Sequence, residues 1–272
     1  MATRRSASPA AARRSTERFL PGAVQAAMTR AEPTDFRPRS LLTLALLVLA
    51  LGARGETALA PYTATYKASF NGIPVVITQT LATTPTGYRV VTAAANALGE
   101  IHEQEDFHLA DGAILVDTYR HERSLLGSKR EEQLSVDRIQ AVAHYRRDGN
   151  PRDIALQPGY LGPISYQIQL RRDLVAGKTS FDYQVMDRGK VKQYVFQTEG
   201  TDVIHTAAGD MNAVRVRRVR DDNVRQTFFW MAPALGYQLV KLRQEENGDS
   251  YELLLNELSA PPAAVETAQV IR

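Results

Sequence analysis

The densest gathering of groups able to do chemistry is His102-Glu103-Gln104-Glu105-Asp106-Phe107-His108. On an extended strand successive side chains alternate between faces, so His102, Gln104, Asp106 and His108 share one face, with i and i+2 about 7 Å apart. Asp106 and His108 are therefore the pair able to share an ion, whereas His102 and His108 need a sharp bend to meet. The spacing is not the helical His-Glu-x-x-His arrangement, and no nearby His supplies a third ligand. A solvated strand face, with no resident metal, is the expectation.

Two further stretches have the chemistry to hold a ligand. Arg215, Arg217, Arg218 and Arg220 run beside Val214, Val216 and Val219, so alternation sets Arg215 and Arg217 opposite the valines. Guanidinium groups on one face suit a phosphate or carboxylate; the plainer alternative is a wet outer face balanced by Asp221 and Asp222. Phe228, Phe229, Trp230 and Met231, with Tyr237 soon after, form the most apolar aromatic stretch. Phe228 and Trp230 face one way and Phe229 and Met231 the other, which fits core packing, a ligand wall, or both. The candidate ligand-binding set is Phe228, Trp230, Tyr237, Arg215 and Arg217.

Catalytic signatures are absent from the sequence pattern. Ser128 in Leu-Gly-Ser-Lys is not a nucleophile elbow, and Ser, His and acid form no recognisable set. Glu103, Glu105, Glu131 and Glu132 are plentiful carboxylates, but a glycosidase pair is defined by a spatial separation. The reading leans away from an enzyme, and no cofactor is implied.

Composition bounds what can position these groups. The 272 residues include 33 Lys+Arg, 30 Asp+Glu, five His, 44% hydrophobic residues and no Cys. One ordinary core is within reach. Without cysteine there is no disulfide-linked partner, thiol nucleophile or thiolate metal site. Nine Arg and four acids fall in residues 1–60, which leaves 24 bases and 26 acids from 61 to 272. The basic balance belongs to the leader, so nucleic acid is not an expected partner.

Residues 41–51, Leu-Leu-Thr-Leu-Ala-Leu-Leu-Val-Leu-Ala-Leu, follow Arg37 and Arg39 and precede small residues. A run well short of the ~20 residues that span a bilayer suits a secretory signal peptide. Cleavage after Gly52, Gly55 or Ala60 is allowed by the small residues there. Residues 1–40 read as a disordered leader extension, with Met28 as an alternative start, and 41–60 as the signal segment. Localisation is then periplasmic, or membrane-anchored at the N-terminus if the leader is uncleaved. Residues 259–272 read as a flexible tail.

From Pro61 to 258 a single β-rich domain is expected. Tyr62, Ala64, Tyr66, Ala68 and Phe70 alternate with polar residues, and Asn71-Gly72, Asp111-Gly112, Asp148-Gly149, Arg188-Gly189 and Asn247-Gly248 punctuate strand-like runs. These dipeptides tolerate the positive φ of tight hairpins. Thirteen strands are expected between 62 and 258. One helix is expected over 163–176, framed by Pro163 and Gly177. So much sheet must curl into a half-barrel, barrel or two-sheet sandwich. A lipid-facing band is lacking, since Arg120, Glu122, Arg215 and Arg217 sit among apolar positions.

The second half resembles the bacterial exported family known as domain of unknown function 3108. The resemblance is carried by Ser165-Tyr-Gln-Ile-Gln-Leu-Arg-Arg-Asp-Leu-Val-Ala-Gly177, the strand pair 179–198, His205-Thr-Ala-Ala-Gly209 with Val214-Arg-Val216, Phe229-Trp-Met-Ala-Pro233 and Tyr237-Gln-Leu-Val-Lys-Leu242. It spans about residues 61–258 and implies a mainly antiparallel envelope protein with no transferable catalytic residues. Relatives commonly carry Pro after the Thr of the Thr-x-x-Gly turn, where this chain has Ala207.

The functional expectation is a non-catalytic binder or carrier of a lipid or other hydrophobic or amphipathic envelope molecule, in peripheral contact with the envelope membrane. The alternatives are an envelope hydrolase acting on glycan or lipid and an envelope scaffold that pairs through a sheet edge. A cavity lined by apolar side chains favours the first, a polar cleft the second and an exposed edge the third.

Overall fold

The computed structural model describes residues 58–70, 73–220, 224–246 and 249–259. The expected leader, the tail and the Asn71-Gly72 and Asn247-Gly248 turns lie wholly or almost wholly outside the described residues. Fourteen strands form one antiparallel sheet: β1 (Tyr62–Phe70), β2 (Ile73–Thr84), β3 (Gly87–Asn96), β4 (Gly99–Ala110), β5 (Ala113–Leu125), β6 (Ser128–Asp137), β7 (Val142–Arg147), β8 (Asn150–Ala155), β9 (Ser180–Asp187), β10 (Lys190–Thr206), β11 (Gly209–Val219), β12 (Arg225–Ala232), β13 (Gln238–Glu246) and β14 (Asp249–Ser259). The helix α1 (Ser165–Val175) interrupts them, as the flanking Pro and Gly imply.

The order across the sheet is β8-β7-β6-β5-β4-β3-β2-β1-β14-β13-β12-β11-β10-β9. Each strand pairs with its sequence neighbour except where β1 joins β14. Hairpins therefore build two arms, and the pairing of the first strand with the last fuses them. Asp111-Gly112, Asp148-Gly149 and Arg188-Gly189 take positive φ at both residues, the geometry expected of two-residue hairpin turns.

The sheet curls without closing. Four register shifts, at Thr65/Tyr66, Asp106/Phe107, Thr198/Gly200 and Trp230/Met231, insert extra residues that sharpen twist and bend. The edges β8 and β9 meet through the chain that follows β8. Leu161 donates its N–H to Gln184 O at 2.9 Å and accepts from Met186 N at 2.8 Å, covering part of the β9 edge. Arg152 on β8 reaches Gly189 O at 3.4 Å. This seam covers the β9 edge around Val185, while β8 keeps its outer side.

One missed element, β8, carries Pro151 and buries Ile154 alone among its six residues. Proline lacks a ladder donor, which an edge strand tolerates and a central one does not.

Helix α1 plugs one end of the curl. Ile164, Ile168, Leu170 and Leu174 are buried. Tyr166 packs edge-on to Tyr194, ring centroids 5.2 Å apart, and stacks on Phe196 at 5.9 Å. Arg172 ties the helix to the β4–β5 turn through Gly112 O at 2.9 Å. Asp173, buried, accepts the Tyr183 hydroxyl at 2.8 Å. No described helix is long and apolar enough to cross a membrane.

Candidate functional site

Register carries the inward side chains into rows that cross many strands. One row runs Tyr62, Leu81, Val90, Glu105, Tyr119, Leu134, Tyr145 and Arg152. From Tyr62 to Tyr145 all of it is buried. The next row runs Ala64, Gln79, Thr92, Glu103, His121, Glu132 and Arg147. It is a polar belt. A third row, Leu255, Tyr66, Ile77, Ala94, Ile101 and Arg123, is apolar for five positions and then turns cationic. A fourth, Val216, Phe229, Leu242, Leu253, Ala68 and Val75, is apolar throughout.

Exposure along the inner face says which end is open. On β4, Glu105 is fully buried, the Glu103 side chain is 32% exposed and Ile101 is 40% exposed. On β14, Leu255 is buried while Tyr251, four residues back on the same face, is 46% exposed. The α1 end is solid and the opposite end is a mouth. Its β13-β14-β1-β2-β3 wall is apolar, and its β4-β7 wall carries the belt.

At the floor of the mouth Glu105 binds the start of α1. Its carboxylate accepts Ile164 N–H at 2.7 Å and Ser165 N–H at 3.2 Å, while the Ser165 hydroxyl accepts Gly162 N–H at 2.9 Å. The helix lacks a side-chain cap of its own, so a remote acid fills that role for groups that otherwise stay orphaned. Gly162 must be glycine, since a Cβ there sits 2.4 Å from Glu105 Oε1. Burial pushes the Glu105 carboxyl up to about 7 against the hydrogen bonds from Ser165 and Ile164, which pull it down.

The belt is internally bonded. Tyr119 donates its hydroxyl to Glu103 Oε1 at 3.1 Å, and His121 Nε2 lies 3.9 Å from the same oxygen. Tyr145 donates to Glu132 Oε2 at 2.8 Å, with Arg147 Nε 3.6 Å from Oε1. Burial, then Glu103, holds the Tyr119 hydroxyl well above its usual range; burial, then the bond to Glu132, does the same for Tyr145. Both phenols are donors at neutral pH. His121 Nδ1 and Arg123 Nε are buried without a hydrogen-bond partner.

The residues singled out from sequence lie elsewhere. Arg215, Trp230 and Lys241 are cross-strand neighbours on the outer face, as are Arg217, Phe228 and Arg243. Asp202 accepts Arg215 at 3.1 Å and Trp230 Nε1 at 2.7 Å, and Glu199 takes Arg217. Phe228 and Trp230 lie 6.1 Å apart and Lys241 sits over the indole at 5.1 Å. Phe228, Trp230, Arg215 and Arg217 thus come together, but outside the curl and with their charges paired. Tyr237 is separate, in the turn before β13, with φ +57° and its N–H on Ala232 O at 2.8 Å.

Asp106 and His108 stand on the outer face of β4. Asp106 takes Arg89 through two bonds, at 2.6 and 2.8 Å, and His108 Nδ1 lies 2.9 Å from Asp117. Each has its own partner. Among the described residues no three His, Asp or Glu side chains are placed to hold a metal. The belt was hard to find from sequence because its members come from different strands, joined only by register. The one local signal is Glu103, Glu105 and His121 falling at alternating positions of adjacent strands.

One solved structure shares the architecture. A β-barrel-like protein of domain of unknown function DUF1849 from Brucella abortus is similar at TM-score 0.51 and 11% identity, covering 76% of this chain and all of that one. A chain from Parabacteroides distasonis described as a "putative lipoprotein" gives TM-score 0.28 and 11% identity over 74% of this chain and 96% of its own. The first likeness supports the curled-sheet fold. No functionally curated protein matches the chain. The model of the family described as "Protein of unknown function (DUF3108)" matches residues 62–256, so the chain belongs to that family.

Proposed function

We propose that the protein is a non-catalytic periplasmic binder or carrier whose curled sheet holds an amphipathic envelope molecule in its mouth. The observation that carries the reading is the division of the inner face. Ala68, Val75, Ile77, Ala94, Ile101, Leu242 and Leu253 offer an apolar wall, and Glu103, His121, Arg123 and Arg147 face it with polar groups. An acyl or polyprenyl chain is matched by the first and a polar head by the second. Export rests on the apolar run 41–51, and peripheral membrane contact is where such cargo is exchanged.

Binding of a fluorescent fatty acid or phospholipid by Ile101→Asp and Leu253→Asp tests this. Affinity at least tenfold lower than wild type is expected, with Ile139→Asp, at a fully exposed loop position, unchanged. Equal affinity in all variants contradicts the reading.

One observation favours a hydrolase as the second reading. Glu103 lies 3.9 Å from His121, and Glu132 follows on the same row, so two acids and an imidazole share one open face. Acid–base hydrolysis of a glycan or lipid needs such a set. Turnover of ester and glycoside substrates, abolished by Glu103→Gln, marks an enzyme; no turnover leaves the binder.

A further inference from the structure

Most sheet-borne arginines of this protein have a cross-strand acid. Arg89 has Asp106, Arg120 has Glu131, Arg217 has Glu199 and Arg225 has Glu246, and Arg138, just after β6, has Asp117. The pattern thins at the seam, where three hairpin tips converge: Arg147 keeps Glu132 at 3.6 Å and Arg188 reaches Asp187 only at 3.9 Å, while Lys129, Arg130 and Arg152 form no ion pair among the described residues. The β5–β6 hairpin brings Lys129 and Arg130, the β7–β8 hairpin brings Arg147, Asp148 and Arg152, and the β9–β10 turn brings Arg188. Together they line a cavity of about 700 Å³ with five cations and a single acid. The groove is open to solvent and lined mainly by polar and charged groups, which suits a charged rather than an apolar ligand.

The lone acid is already engaged. Asp148 Oδ1 accepts the Glu131 N–H at 3.0 Å, and Oδ2 is 3.8 Å from Arg147. Neither Lys129 nor Arg130 forms an ion pair among the described residues. Arg130 also lies directly opposite Arg123 in the β5–β6 register, although Arg123 lines the neighbouring groove rather than this one. Like charges opposite one another destabilise a strand pair. An anion bound at Arg130 from the seam side offsets part of that repulsion.

The floor is rigid. Gly189, φ +71°, lies so close to Tyr145 that a Cβ would stand 2.6 Å from its ring. Tyr145 is in turn fixed by its bond to Glu132. The cations are thus presented from short hairpins against a fixed base, an arrangement that preorganises guanidinium forks for phosphoryl oxygens.

We infer that the seam cavity is a binding site for a multiply charged phosphorylated ligand, held by Lys129, Arg130, Arg152 and Arg188. The site borders the mouth at Arg147 but does not depend on an apolar cargo. Its phosphoryl groups come either from a soluble compound or from an anionic lipid headgroup.

Calorimetric titration of the purified exported chain with inorganic pyrophosphate and with glycerol phosphate, beside binding to phosphatidylglycerol vesicles, tests it. Saturable binding is expected, weakened at least tenfold in Arg130→Gln/Arg188→Gln and little changed in Arg89→Gln, whose charge is paired elsewhere. Binding of the soluble phosphates identifies a soluble ligand; binding of vesicles alone, with the same loss in the double variant, identifies a headgroup. Absence of saturable binding by all three, or binding that the double variant leaves intact, overturns the inference. Circular dichroism of the variants confirms that the loss is not unfolding. The outcome is separable from the fatty-acid assay, because pyrophosphate has no apolar part.

Discussion

The Glu105 carboxylate accepts the backbone N–H of Ile164 at 2.7 Å, across fifty-nine residues of sequence. With the Ser165 N–H bond to the same carboxylate, this contact holds the start of α1 against β4, beside the Arg172–Gly112 and Tyr183–Asp173 bonds further along the helix. It also makes one arm of the sheet answerable to the helix that precedes the other. Replacing Glu105 with Ala leaves the Ile164 and Ser165 donors buried and unpaired, each worth ~1–3 kcal/mol. A stability loss of roughly 3 kcal/mol by urea unfolding at pH 5.5, where the buried carboxyl keeps its proton, is expected. A loss near zero means the helix start finds other partners.

The same carboxylate gives stability a pH dependence of unusual sign. Its ionisation is raised from 4.5 to about 7 by burial, so between those values the folded state holds the proton more tightly than the unfolded chain. Stability from this group is full below about pH 4.5 and is lost as pH rises through about 7. The gap corresponds to about 3 kcal/mol. The urea midpoint should therefore rise from pH 8 to pH 5.5, and Glu105→Gln should flatten that slope. A midpoint that falls over this interval contradicts the assignment.

Much of the scaffold was readable because it rests on local chemistry. Alternation in Tyr62-Thr-Ala-Thr-Tyr66, the Asp-Gly and Arg-Gly turns, and the Pro163 and Gly177 brackets each act within a few residues, and the strands and α1 follow them. The site was not readable for the opposite reason. Glu103, His121, Glu132 and Arg147 become neighbours only through register between four strands, and the cations of the seam meet only because the sheet curls until β8 nears β9. Bulges at Asp106/Phe107 and Trp230/Met231 rephase strands in ways that no alternation count contains. By alternation alone the aromatic run at 228–231 suits core packing or a ligand wall, yet its register with Arg215 and Lys241 puts Trp230 on the outer face.

Leu59 bears on where the proposed leader would be cut. Its side chain packs against the core and its N–H reaches the Tyr88 hydroxyl at 3.2 Å. A cut after Ala60 discards these contacts, whereas cuts after Gly52 or Gly55 keep them. N-terminal sequencing of the periplasmic form should begin at Ala53 or Glu56. A start at Pro61 means the Leu59 contacts are dispensable.

The outer pair Arg215 and Arg217 should matter little to cargo. Their partners Glu199 and Asp202 leave the groups about a third exposed, so each ion pair contributes at most ~1 kcal/mol. Arg215→Gln/Arg217→Gln is expected to bind fluorescent phospholipid as wild type does, with a small drop in melting temperature. A tenfold loss of binding would move the ligand to the outside of the sheet.

Native mass spectrometry of the protein exported to the periplasm and purified without detergent, followed by solvent extraction, tests the central claim most directly. A stoichiometric adduct of lipid size, lost in Ile101→Asp, is the predicted result. A clean apo mass that persists after incubation with envelope lipids would contradict it.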